Sequence, residues 1–201
     1  MKKSFAAAAV LVFVATASMT HSAQGPPESK GFNPRPQYLA LLAGFNSHRP
    51  TVEPFGALPF PFGLSYERRI GETWGIGATL MFDRWCDYLG MFGGKYAFQV
   101  FKPSLDIVYH LGPGRRGSFD LFAGGHLGYS FFWVTNEMGN DYEGDLRHEP
   151  HIAPFVGAAV HFGKTGPGFM SRLSLTARLA WSVTGRLSGL YGSGGVAYRI
   201  R

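Results

Sequence analysis

His126 and Ser130, with Asp120 six residues upstream, are the residue types of a nucleophilic hydrolase, and they share one face of an extended segment. A nucleophile and its base must sit within hydrogen-bond reach. Four residues along a strand separate two side chains by roughly 13 Å, so His126 and Ser130 cannot act on each other unless a second strand supplies a partner. His110, His126, His151 and His161 show no tight metal-ligand spacing and read as hydrogen-bonding residues. Gly192-Ser193-Gly194-Gly195 has the glycines of a phosphate loop but neither its following lysine nor a helix, so it reads as relief of crowding in a strand. No cofactor is expected from these patterns.

The histidines share their phase with charges. Glu67, Asp106 and Asp120 fall in one strand phase with Lys102, Arg172, Arg178 and Arg199. Buried charges need partners, because removing one member of a buried pair costs on the order of 3–5 kcal/mol. These seven residues are therefore expected to form a luminal charge network, which requires a closed sheet around them.

The elements that would hold it follow from alternation. In Ser118–Trp133, Phe119, Leu121, Ala123, Gly125, Leu127, Tyr129, Phe131 and Trp133 occupy one face, and Ser118, Asp120, Phe122, Gly124, His126, Gly128 and Ser130 the other. The pattern recurs from Trp74 to Asp83, Phe101 to Leu111, His151 to Phe162 and Phe169 to Val183. Leu58–Arg69, Leu190–Ile200 and a weaker Gln37–Ser47 complete eight candidate strands. An even number of long alternating strands predicts an all-β, eight-stranded antiparallel up-and-down transmembrane β-barrel over residues 37–201. Pro103 and Pro154 are expected near strand starts, where a missing N–H matters least. A soluble eight-stranded calyx, as in lipocalins, is the alternative that periodicity leaves open.

Aromatic residues mark the two ends of the oily face: Tyr66, Trp74, Tyr109, Phe119, Phe162, Phe169 and Tyr198 at one, Phe60, Phe82, Phe131, Trp133 and Trp181 at the other. Rings with one wet edge suit a membrane interface. The connections 70–72, 112–117 and 163–168 are short and turn-forming, whereas 84–95 and 135–148 are longer and acidic or aromatic, as expected of periplasmic turns and outer loops. Arg68, Arg69, Arg115, Arg116 and Lys164 are expected in or beside turns, against anionic lipid head groups.

Lys2 and Lys3 ahead of the apolar run Phe5–Val14, with Ala15-Thr16-Ala17 or His21-Ser22-Ala23 behind it, have the layout of a secretory signal peptide over residues 1–23. Residues 24–36, rich in proline and polar groups, are expected to be a flexible lead-in. The net charge of +6 falls to +4 once Lys2 and Lys3 leave, too diffuse for nucleic acid. The single cysteine, Cys86, cannot build an internal disulfide framework and is expected on a loop.

With Tyr66-Glu67-Arg68-Arg69-Ile70-Gly71-Glu72-Thr73-Trp74-Gly75-Ile76-Gly77, where two strands flank a tight turn, the chain resembles the small outer-membrane barrels of the OmpA/OmpX-like, porin-family type. That resemblance implies the outer membrane of a Gram-negative-type bacterium, with membrane lipid and lipopolysaccharide as partners and extracellular partners reached through loops 84–95 and 135–148. It implies a non-enzymatic structural or surface role with the lumen closed by charge; a small-solute porin is the alternative, and a lipid-modifying barrel enzyme the third reading. Barrel deacylases carry Ser two residues after His, a position held here by Gly128, and the usual aromatic terminus is replaced by Tyr198-Arg199-Ile200-Arg201.

Overall fold

A computed structural model describes residues 36–46, 61–70, 73–89, 94–111, 119–136, 147–162, 168–184 and 189–200. The chain divides into two units, Met1–Pro34 and Arg35–Arg201, and every described residue belongs to the second. The expected signal peptide and all but Pro36 of the lead-in lie outside the described residues, as do Ser118, Phe60 and the turn residues 71–72, 112–117 and 163–167.

Eight strands, β1 (Gln37–Asn46), β2 (Phe62–Arg69), β3 (Trp74–Leu89), β4 (Gly94–His110), β5 (Phe119–Asn136), β6 (Arg147–His161), β7 (Leu173–Ser182) and β8 (Gly189–Arg199), form a closed antiparallel barrel in sequence order. β1 closes on β8 through the register Tyr38↔Arg199 to Asn46↔Tyr191, so no edge is left along that seam. Burial alternates most plainly in β2, β4, β6 and β7: Ser174, Thr176, Arg178, Ala180 and Ser182 of β7 are buried, whereas Leu175, Ala177, Leu179 and Trp181 between them are exposed. Water cannot favour so much exposed apolar surface, and an oily solvent can. The oily face points outward, which excludes the lipocalin-like calyx.

The strands differ from the sequence expectation at several places. β3 runs on to Leu89 and β4 starts at Gly94, so most of the expected loop 84–95 is hairpin, with Cys86 paired to Ala97 inside it. The expected loop 135–148 likewise begins and ends in strand, leaving 137–146 outside the described residues. Along the upper hairpin apolar residues fall in both strand phases, Trp85, Phe98 and Val100 in one and Ala97 and Phe101 in the other, so the alternation that marks the strands lower down is lost. β7 starts at Leu173 because Met170–Arg172 winds into a 3-10 turn, and Arg69, the last residue of β2, faces inward rather than toward lipid head groups.

Pro103 and Pro154 lie inside β4 and β6, not at their starts. The β4–β5 ladder passes from Phe101↔Phe131 to Ser104↔Gly128, skipping Lys102 and Pro103, so the proline occupies a gap in the ladder. A Cβ on Gly128 would run into the Pro103 carbonyl and the Ser104 backbone, so glycine permits this close approach. Pro154 sits one residue beyond the β6–β7 ladder, which starts at Phe155↔Ala180.

Candidate functional site

Inward side chains of β2, β4 and β5 build a first cluster. Asp120 accepts from Arg69 through Oδ2 and lies 2.9 Å from His110 Nδ1, while His110 Nε2 lies 2.8 Å from Glu67 Oε1. Arg69 Nε is 3.8 Å from Glu67 Oε1, so the guanidinium touches both carboxylates. Two proton arrangements satisfy His110. As an imidazolium it donates to both carboxylates; as a neutral ring it donates to Glu67 and accepts at Nδ1 from Arg69 Nη2, 2.8 Å away. Both ring nitrogens are engaged in either case, leaving no lone pair for a metal ion.

A second cluster centres on Asp106. His126 Nδ1 donates to its Oδ1 at 2.7 Å, and Thr79 Oγ1 donates to its Oδ2 at 2.5 Å. Arg178, entering from β7, joins the clusters: Nη1 lies 3.3 Å from Asp106 Oδ2 and Nη2 3.8 Å from Glu67 Oε2. Its Cζ sits 5.6 Å from the Phe122 ring centroid and 5.4 Å from that of Phe155, so the cation packs against aromatic faces as well as carboxylates. Glu67, Asp106, Asp120, Arg69, Arg178 and His110 are all buried. At so buried a site a charge is tolerable only because each has an opposite partner.

The structure therefore brings together Glu67, Asp106, Asp120 and Arg178 of the seven residues expected in the network, and adds Arg69, which the sequence places at a strand end beside a turn, against lipid head groups. The signal for Arg69 was available: it continues the inward phase of Ser65 and Glu67. Lys102 faces inward at a different level, with Nζ 5.1 Å over the Tyr191 ring and Asp83 as its acidic neighbour. Arg172 is a correction: it sits half-buried in the 3-10 turn, donating at 3.4 Å to the Tyr198 hydroxyl. Arg199 keeps the inward phase but lies half-buried at the barrel end, in register with Tyr38.

Neighbouring strands do supply serines to histidines. Ser104 Oγ lies 3.5 Å from His126 Nδ1 and 3.3 Å from Asp106 Oδ1. A catalytic relay needs acid and nucleophile on opposite ring nitrogens, and here both crowd Nδ1. His161 Nδ1 lies 2.6 Å from Ser174 Oγ, but Ser174 is 2% exposed. The cavity both residues line holds about 40 Å³, room for roughly three waters and for no acyl substrate.

Above that cavity lie two smaller ones of about 10 and 20 Å³. Arg178 lines both the first and the second, and Lys102 both the second and the third. The described interior is thus a column of small voids divided by two cations.

Outside, Leu41 is 68% exposed and Leu105 57%, and rings gather at both ends of the oily belt. Trp74 and Tyr109 pack edge-on with centroids 5.0 Å apart at one end, and Phe62 and Phe82 lie 5.5 Å apart at the other. A closed eight-stranded barrel, oily and ringed with aromatics outside and charged within, defines a transmembrane β-barrel of the small outer-membrane type. Two solved structures share the fold. The attachment invasion locus protein Ail of Yersinia pestis superposes with a TM-score of 0.51 at 13% identity, covering 82% of this chain and 97% of Ail. The N-terminal β-barrel domain of Pseudomonas aeruginosa OprF gives a TM-score of 0.51 at 13% identity, covering 83% of this chain and 98% of the domain. No family model matches the chain, and no curated protein matches it.

Proposed function

We propose that this protein resides in the outer membrane of a Gram-negative-type bacterium as a barrel with a structural or surface-interaction role, its lumen closed by the charged network rather than open to solutes. The observation that carries this reading is the Arg178 bridge from β7 to Asp106 on β4 and Glu67 on β2, spanning an interior whose described cavities hold about 40, 10 and 20 Å³. An eight-stranded barrel is only just wide enough for its own side chains, and here they also hold one another in place. Partners outside the cell would be met by the β3–β4 hairpin and by the chain between β5 and β6.

The porin reading draws support from the column of voids, since displacing Arg178 and Lys102 would join them. The tie from Arg178 to two carboxylates weighs against that opening in the resting protein. A hydrolytic reading finds serines beside histidines but no relay geometry and no room for a substrate.

The location and fold are tested together by membrane fractionation with gel migration before and after boiling. The protein is expected in the outer-membrane fraction as a band that shifts on heating. A soluble periplasmic protein, or one whose migration ignores heating, would contradict the reading.

A further inference from the structure

Arg178 divides the two lower cavities of the lumen, and a guanidinium does not give up its proton inside a protein. A pair of hydroxyls goes round it. Ser65 lines the first cavity together with Glu67, His110 and Asp120, while Thr79 and His126 line the second. Ser65 Oγ lies 3.1 Å from Thr79 Oγ1, Thr79 Oγ1 lies 2.5 Å from Asp106 Oδ2, and the other oxygen of Asp106 lies 2.7 Å from His126 Nδ1. Ser65, Thr79, Asp106 and His126 are all buried. The hydrogen bonds of His126 to described groups run through Nδ1, which leaves Nε2 to water in the second cavity.

Two settings of the hydrogens fit these distances, because a hydroxyl both donates and accepts. In one, Asp106 is a carboxylate, Thr79 donates to it and Ser65 donates to Thr79. In the other, Asp106 is protonated on Oδ2 and donates to Thr79, which donates to Ser65. Passing from the second setting to the first sends one proton from Asp106 to Thr79, one from Thr79 to Ser65 and one from Ser65 into the water of the first cavity. His126 recharges Asp106: Nδ1 gives its proton to Oδ1, and Nε2 takes one from water in the second cavity. Turning of the imidazole, the carboxyl and the hydroxyls resets the chain. Further out, Tyr191, whose hydroxyl lies 3.1 Å from His151 Nε2, and Lys102 line both the second and the third cavity, so exchangeable protons stand at that step too.

We propose that the closed lumen conducts protons while excluding salt ions, through a relay from His126 by way of Asp106 and Thr79 to Ser65, joined at its two ends to water in the cavities. Proton transfer needs only hydrogen-bond contact or one bridging water, and chains of Asp, Glu and His inside a membrane are suited to it. Cavities of about 40, 10 and 20 Å³ have room for roughly three, one and one waters. A sodium or chloride ion would instead have to pass Arg178 and Lys102 stripped of its hydration, at the cost of a buried charge without a partner. The relay rests on the closed-lumen reading and gives that lumen an activity.

The test folds the full-length exported protein into phosphatidylcholine vesicles that hold potassium salt and a pH-sensitive dye, with valinomycin to carry the compensating charge, and then acidifies the outside. Parallel vesicles with sodium- and chloride-sensitive dyes report salt leak. The unaltered protein is expected to acidify the vesicles faster than protein-free lipid does, with salt leak at the protein-free level. Thr79→Val, which removes the hydroxyl and adds no charge, should return proton entry to that of protein-free vesicles, and Thr79→Ser should restore it. Proton entry by the unaltered protein no faster than through bare lipid overturns the relay, as does a Thr79→Val protein that shows the heat-shifted band and keeps the full rate. Should Thr79→Val not fold, Ser65→Ala reads the same link, and an undiminished rate there overturns the relay equally. Salt leak alongside protons in the unaltered protein would instead overturn the closed lumen on which the relay rests.

Discussion

Arg178 of β7 lies 3.3 Å from Asp106 of β4 and is the only described side chain that also bridges to Glu67 of β2, at 3.8 Å. One guanidinium thereby ties three walls of the barrel across its lumen. Arg178→Gln removes the cation and leaves two buried carboxylates short of a partner, so it should destabilise the barrel by about 3–5 kcal/mol. Urea unfolding from lipid vesicles, followed by tryptophan fluorescence, measures this, and a loss below about 1 kcal/mol would contradict the bridge.

Arg68 and Arg69 are neighbours of the same type with opposite surroundings. Arg69 is 7% exposed and shared between Glu67 and Asp120, whereas Arg68 is half-buried in the outward phase. Arg69→Gln is expected to cost several kcal/mol by the same logic as Arg178, and Arg68→Gln less than about 1 kcal/mol. Equal losses in the same unfolding assay would show that the face assignment of β2 is wrong.

The outward face of the belt should reject charge. Leu127 is 48% exposed and Leu175 47%, both in the apolar outward phase. Placing Arg at either should cost about 2–4 kcal/mol if it sits near mid-bilayer, readable as lower folding yield into vesicles. Ser174 and Thr176 are poor comparisons, because Arg there would be forced into a packed lumen rather than into water.

Adjacent glycines on β5 give a comparison without charge. A Cβ on Gly124 would meet the Ile107 carbonyl and the Phe155 ring, whereas one on Gly125 meets nothing within 4 Å. Gly124→Ala should slow or weaken folding through overpacking, and Gly125→Ala should leave the heat-shifted band unchanged. The reverse order would invert the faces of β5.

Where sequence reading succeeded and failed follows from what alternation encodes. A period of two fixes which face a residue occupies, so Glu67, Asp106, Asp120 and Arg178 could be placed inside from the sequence. It does not fix height, which depends on how far each strand is staggered against the next. Lys102 is accordingly on the expected face but meets Tyr191 and Asp83 rather than the lower clusters. Arg172 leaves the network because the strand phase that would turn it inward is broken at Met170–Arg172, where the backbone winds into a turn. Arg69 differs because a pair of arginines at a strand end beside Ile70-Gly71 suggests head-group contact for both, although the second keeps the inward phase of Ser65 and Glu67. The upper β3–β4 hairpin is not legible because apolar residues occupy both phases there, Trp85, Phe98 and Val100 in one and Ala97 and Phe101 in the other, and no period of two stands out.

Closure of the lumen is the central claim, and planar-bilayer recording tests it most directly. The unaltered barrel should show conductance that is absent, small or intermittent, and Arg178→Gln should raise its size or open time by loosening the tie to Asp106 and Glu67. Steady, large conductance from the unaltered protein would contradict the closed lumen and make the barrel a porin.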